Sequence, residues 1–135
     1  RRQRQMCIRD RGKRMEPYLI NRITDAQMNE LRTTQPRQAA EAVSEETANT
    51  IKDLMFASEH STYGYDGNGF ASKTGTAEHG EGLAPHAWYV AFDPDKDIAV
   101  GVVVKDGGHL GQNAYGGQVS APIGRAILRA YGGEQ

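Results

Sequence analysis

The most constraining stretch of this chain lies between residues 86 and 104. His86 to Phe92 and Ile98 to Val104 are two apolar runs rich in β-branched and aromatic residues, separated by Asp93-Pro94-Asp95-Lys96-Asp97. Such runs favour pleated strands. A five-residue polar turn is too short for a crossover, so the two strands must be antiparallel neighbours. Ile98 to Val104 is almost continuously apolar, which predicts an interior strand covered on both faces. Trp88 and Tyr89 are adjacent and must face opposite sides, so at least one of them enters the core.

The remaining chain supplies partners for this hairpin. Phe70 to Glu78 reads as a further strand, and Ser58 to Gly69 before it is a loop of glycines and small polar residues. Ser44 is a good N-cap, Glu45 and Glu46 complement the helix dipole, and Ala48, Ile51, Leu54, Met55 and Ser58 recur at helical spacing. An amphipathic helix is therefore predicted over 45–57, with Met55 in the core. Tyr18 to Thr24 and Glu30 to Thr33 flank the turn Asp25 to Asn29 and predict a small hairpin, which Pro36 closes. Asp106 to Gly117 is a glycine-rich loop. Val119, Ile123, Ala126, Ile127 and Ala130 form the apolar stripe of a last helix, with Pro122 in its first turn and Gly132-Gly133 after its end. Strands, helix, three antiparallel strands and helix make an α+β fold, with helices packed on an antiparallel sheet.

Composition is informative once residues 1–11 are set aside. Arg1 to Arg11 has no apolar periodicity and resembles the in-frame translation of an adapter used in transposase-based DNA library preparation, a non-native scar to be excluded from fold reasoning. The alternative, a basic arm for nucleic acid, requires an eleven-residue coincidence. Without those residues Lys plus Arg falls from 16 to 11, Asp plus Glu from 17 to 16, and the formal charge from -1 to -5. An acidic chain has no basic face for nucleic acid. Cys7, the one cysteine, lies in the excluded segment, so residues 12–135 have no disulfide and no thiol nucleophile, as suits an oxidising, extracytoplasmic compartment. No apolar run approaches the about twenty residues that cross a bilayer, and no targeting signal is present.

The chemistry is concentrated on the strand that precedes the hairpin. Lys73-Thr74-Gly75-Thr76-Ala77-Glu78, followed by Pro85-His86-Ala87-Trp88-Tyr89-Val90-Ala91-Phe92, resembles the C-terminal part of the transpeptidase domain of class B penicillin-binding proteins. The resemblance begins at Gly12-Lys13-Arg14-Met15-Glu16-Pro17-Tyr18 and continues to the last helix. Three letters are a weak signal; their position on a strand after a helix and a loop, and before an antiparallel hairpin, is the specific part. The resemblance implies acyl transfer at a D-alanyl-D-alanine terminus of cell-wall stem peptides, with β-lactams as acylating mimics. A free carboxylate must then be held, and a carbonyl oxygen stabilised as it becomes negative. Lys73 would supply the positive charge, the hydroxyls of Thr74 and Thr76 would donate to the carboxylate, and Gly75 would let substrate backbone lie against the strand. The Thr76 backbone N–H would be one half of the oxyanion hole, and the N–H of the serine nucleophile the other.

That nucleophile is absent. The family's order is Ser-x-x-Lys, then Ser-x-Asn, then Lys-Thr-Gly. Ser44, Ser58, Ser61, Ser72 and Ser120 have Thr47, Ser61, Gly64, Gly75 and Ile123 three residues on, and none has Asn at the second. Residues 12–135 are accordingly expected to be the C-terminal portion of a transpeptidase domain, incomplete at its N-terminus and inactive alone. The parent is expected at the extracytoplasmic face of the bacterial membrane, anchored by a missing segment, with a role in division or elongation. Alternatives are a D,D-carboxypeptidase, a serine β-lactamase or a non-catalytic β-lactam-sensing module. No cofactor is expected. His60, His79, His86 and His109 match no compact ligand spacing, so no metal is expected either. Glu78 and His79 read equally as a polar strand exit. Gly107-Gly108 and Gly116-Gly117 lack the lysine and hydroxyl of a phosphate loop.

Overall fold

The computed structural model describes residues 12–96 and 98–131; the adapter-like residues 1–11 lie outside them, as does the Gly132-Gly133 stop. The chain divides into two units, Arg1–Thr50 and Ile51–Gln135. Among the described residues of the first, β1 (Lys13–Met15) pairs antiparallel with β4 (Gln38–Glu41), and β2 (Arg22–Thr24) with β3 (Glu30–Thr33). The β2–β3 hairpin is the expected one. Its turn is organised by Asp25, whose carboxylate accepts from the backbone N–H of Gln27 and Asn29 and from the Asn29 amide, at 2.9 Å each. The Asn29 side chain above all, and then the backbone donors, hold the Asp25 carboxyl below its ordinary value. The β1–β4 pair was not expected, because strands of three and four residues with mixed polarity carry no readable period.

Helix α1 (Glu45–His60) begins where expected, with the Ser44 hydroxyl accepting from the Thr47 N–H at 3.2 Å. It runs three residues beyond the predicted Ala57. Its stripe is only partly covered: Ala48 is buried and Met55 half-buried, whereas Ile51 and Leu54 are exposed.

In the second unit, β5 (Ala71–Ala77), β6 (His86–Asp93) and β7 (Ile98–Val104) form an antiparallel sheet in that order. The registers place Gly75 opposite Trp88 and Trp88 opposite Val103. Period-two alternation then assigns faces. Ser72, Thr74 and Thr76 share one with Tyr89, Ala91, Val100 and Val102; Lys73, Gly75, Trp88, Val90 and Val103 share the other. Tyr89 is buried and Trp88 is 43% exposed, so the tyrosine is the one that enters the core. Val103, at 42%, corrects the expectation that β7 is covered on both faces. Among the described residues β7 is an edge strand, and its valines pack only on the side of Tyr89 and Leu128.

After β7 the glycine-rich segment is not a plain loop. It forms a 3-10 turn region, Lys105–Asn113, and then the short helix α2 (Gly116–Val119). Helix α3 (Ala121–Tyr131) packs on β6 and β7, but not with the predicted stripe. Ile123 and Ile127 are each 45% exposed, whereas Ala121, Gly124, Arg125 and Leu128 are buried. The reason is steric at one position and electrostatic at the next. A Cβ on Gly124 would lie 2.4 Å from Tyr89 Cδ1, so only glycine lets the helix close onto the ring. Arg125 is drawn inward by a buried carboxylate. Among the described residues no helix is long and apolar enough to cross a membrane.

This correction is testable by urea denaturation. Gly124→Ala should destabilise by about 1–3 kcal/mol through overpacking against Tyr89, whereas Ile123→Ala should change stability by less than about 0.5 kcal/mol. The reverse order would restore the apolar stripe as the buried face.

Candidate active site

Strand β5 owes its position to its first residues. Phe70 and Ala71 are buried in the sheet core, and Ser72, also buried, donates through its hydroxyl to Oε2 of Glu59 near the end of α1. Glu59 is fully buried and receives three further bonds: Arg125 Nε to Oε1 at 2.7 Å, Asn68 Nδ2 to Oε1 at 3.0 Å, and Tyr89 OH to Oε2 at 3.0 Å. One carboxylate therefore joins α1, the loop before β5, β5, β6 and α3. The guanidinium continues outward, with Nη1 donating to the carbonyls of Tyr63 at 3.0 Å and Gly64 at 2.8 Å. Its Nη2 is buried with no hydrogen-bond partner among the described residues.

Burial pushes the Glu59 carboxyl up, but the bond from Arg125, followed by those from Ser72, Asn68 and Tyr89, outweighs it and holds the carboxyl below its ordinary value. Tyr89 moves the other way. Burial first, and then the negative charge of Glu59, raise its hydroxyl well above the usual phenol range. The pair is thus carboxylate and phenol, never the reverse, at neutral pH.

With Ser72 turned inward, Lys73 must turn outward, since a slip of one residue would exchange the faces. Lys73 is exposed, its Nζ donates to the Thr74 carbonyl at 2.8 Å, and it takes part in no ion pair among the described residues. Thr74 and Gly75 are half-buried and Thr76 is exposed. Behind the motif, Gly116 at the start of α2 lies so close that a Cβ would sit 2.1 Å from the Trp88 carbonyl and 3.1 Å from that of Gly75. The buried Ser120 hydroxyl donates to the Ala87 carbonyl at 2.8 Å, directly across from Thr76. Strand β5 pairs only with β6 among the described residues, so alternate backbone groups along its other edge point away from the sheet. Thr74 and Thr76 face the side opposite Lys73, with Thr74 beside Gly116, so an outward ammonium, the exposed Thr76 and the strand edge between them are the groups that can hold an extended, carboxylate-bearing peptide. Three of the serines have structural roles near the motif or at a helix start: Ser72 and Ser120 are buried and committed, and Ser44 caps a helix.

The end of β5 holds a group that spacing alone did not bring together. His79, His86 and Asp106 converge: Oδ1 of Asp106 is 3.1 Å from His79 Nε2 and 3.6 Å from His86 Nδ1, and the two imidazoles stack with centroids 4.0 Å apart. Their donor atoms all lie within 4.8 Å of one another. Glu78 remains an exposed residue at the strand exit, while His60 lies against Tyr65.

Comparisons with known proteins converge on one family. The family model described as "Penicillin binding protein transpeptidase domain" matches residues 5–129, entering the adapter-like segment. The peptidoglycan D,D-transpeptidase PbpA of Mycolicibacterium smegmatis is 44% identical over 131 residues, and PbpA of Mycobacterium tuberculosis 38%. Each alignment covers 91% of this chain and 26% of the relative, so the chain spans about a quarter of their length. Among solved structures, the ceftriaxone acyl-enzyme complex of M. tuberculosis penicillin-binding protein A superposes with a TM-score of 0.81 at 38% identity, covering 93% of this chain and 30% of that one. The D,D-transpeptidase domain of a peptidoglycan glycosyltransferase from Eggerthella lenta superposes with 0.68 at 25% identity, over 93% and 30% of the two chains.

Two outcomes follow from the buried carboxylate. Arg125→Ala should destabilise the second unit by about 3–5 kcal/mol, because it strands a charge, while Glu59→Leu combined with Arg125→Met should recover most of the loss. Equal effects of single and double variants in urea titrations would refute the pairing. Because the folded Glu59 carboxyl is depressed, its contribution is complete above the ordinary glutamate value of about 4.3 and is lost as pH falls through the depressed one. The urea midpoint should fall on acidification below that range, and less steeply in Glu59→Gln.

Proposed function

We propose a function from one premise: the chain belongs to the penicillin-binding protein transpeptidase domain family. Within a longer enzyme it forms the carboxylate-binding and oxyanion-stabilising wall of a centre that crosslinks peptidoglycan stem peptides. The observation that carries this reading is Lys73, an ammonium in no ion pair among the described residues, turned outward on an edge strand by the anchored Ser72.

In this reading the D-alanyl-D-alanine end of a stem peptide lies along the free edge of β5. Lys73 from one face of the strand and the exposed Thr76 from the other flank its terminal carboxylate at that edge, where charge-assisted hydrogen bonds fix the peptide's register, whereas Thr74 lies on the inner face beside Gly116. A serine from outside these 135 residues attacks the penultimate carbonyl. The Thr76 N–H donates to the oxygen as it becomes negative, supplying stabilisation that exists chiefly in the transition state. The C–N bond then breaks, terminal D-alanine leaves with a proton on its amine, and the acyl group remains on the serine. An amine of a second stem peptide attacks that ester, and the serine regains its proton. A β-lactam enters the same way, its ring carboxylate at Lys73 and its opened ring still attached to the serine. The M. tuberculosis relative is described as a penicillin G acyl-enzyme and as an imipenem acyl-enzyme, which supports this partner class. The D,D-transpeptidase names of the relatives favour an amine over water as acyl acceptor. The reaction belongs outside the cytoplasmic membrane, where the crosslinked polymer lies, with the enzyme held to that membrane by a segment beyond this chain.

The test is acylation by a fluorescent penicillin. In the enzyme that includes the nucleophile, Lys73→Ala should slow labelling at least tenfold, the loss expected of a charge-assisted hydrogen bond worth about 1.5–3 kcal/mol. An unchanged rate would make Lys73 a solvated strand residue. The 135-residue chain alone should take no covalent label, and stoichiometric labelling would overturn the requirement for an external serine.

A further inference from the structure

The group at the strand ends stands apart from the acyl-transfer chemistry. His79 follows β5, His86 opens β6, and Asp106 lies in the 3-10 region after β7. The register places Ala77 opposite His86 and Ala87 opposite Val104, so all three residues lie at one end of the sheet, the end of β5 that carries Thr76.

Several features suit a cation. The donors are two imidazoles and a carboxylate, the set of three protein ligands that zinc takes when a fourth position stays open. In a tetrahedral site with bonds of about 2.0–2.1 Å, neighbouring ligand atoms lie about 3.4 Å apart. The two distances from Asp106 Oδ1, 3.1 and 3.6 Å, bracket that edge. The remaining edge, within 4.8 Å, closes by rotation of the His79 side chain, which is 31% exposed. The Asp106 backbone N–H donates to His86 Nδ1 at 3.1 Å, so that nitrogen already presents a lone pair toward the aspartate, as a ligand must. Finally, Asp106 is a non-glycine residue held at φ 52°, in the left-handed region, with its Oδ1 beside a ring nitrogen of each histidine.

We propose that His79, His86 and Asp106 bind one divalent cation of the zinc class, with water in the fourth position. The ion displaces the amide contact at His86 Nδ1 and the contact of His79 Nε2 with the Ala84 carbonyl, 2.9 Å away. Imidazole with carboxylate favours Zn²⁺ over Mg²⁺ or Ca²⁺, which take all-oxygen sites. Bound there, the ion ties the exit of β5 to the exit of β7 across β6. It thereby stiffens the segment that follows Thr76 without touching the motif itself.

The test uses the tag-free 135-residue chain after chelator treatment. Titration with Co²⁺ should produce the intense visible bands of a tetrahedral site at one equivalent, bleached by an equivalent of Zn²⁺. Zn²⁺, but not Mg²⁺, should raise the thermal midpoint, as any ligand of the folded state does. His79→Gln, His86→Gln and Asp106→Asn should each weaken binding at least tenfold, with circular dichroism reporting whether the fold is kept. Because Cys7 is the one thiol, Cys7→Ser should leave the bands and the affinity unchanged. Absence of the bands, or binding that survives all three substitutions, would overturn the site.

Discussion

A glutamate with no access to water is the interaction on which the rest of the second unit depends. Glu59 gathers Ser72, Asn68, Tyr89 and Arg125, which reside on different elements, around two oxygen atoms. Removing an ion pair from water is expensive, and replacing such a pair with apolar residues is often neutral or better for stability. The Nη2 of Arg125, with no hydrogen-bond partner among the described residues, adds to that expense. The network's value is therefore in what it specifies. An apolar contact would let β5 slide; a hydroxyl donating to a carboxylate does not.

The specification reaches the candidate site in one step. Strand residues alternate faces, so burying Ser72 decides where Lys73 points. Gly116 and Ser120 then hold α2 against the inner side of the Gly75–Trp88 and Thr76–Ala87 pairs, and the strand is supported from behind along its length. Placing chemistry on a strand braced in this way, with its second layer of hydrogen bonds committed to position alone, is how sites are kept near a reactive geometry.

The parts of this arrangement that were legible in the sequence are those governed by local rules. The hairpin of β6 and β7 was written in its apolar runs and its Asp-Pro-Asp turn, and the N-cap at Ser44 in a single hydroxyl followed by acids. Lys73-Thr74-Gly75-Thr76 was legible by letters and position together. Periodicity failed at α3, where it put Ile123 and Ile127 in the buried stripe and left Arg125 out of it, because it cannot see that Glu59 waits inside or that Tyr89 leaves space only for Gly124. For the same reason Glu59, which the sequence places in the loop Ser58 to Gly69, showed no sign that it would be buried at the end of α1. His79 and His86 were weighed and set aside as ligands, and their convergence with Asp106 was not legible, because it is created by strand register, over separations at which no spacing rule applies.

The open edge of β5 has another side. A row of unpaired amides and carbonyls accepts any extended chain, including the same edge of another copy of the protein. Antiparallel pairing of two such edges, centred on the motif, would bring one Lys73 close to the other with no anion between them. In the proposed reading the ammonium would act as a gatekeeper: a strand that ends in a carboxylate would neutralise it, and a strand that brings a second ammonium would be repelled. In that reading, a surface that must stay adhesive to bind its peptide would be kept from adhering to itself by the residue that makes it selective.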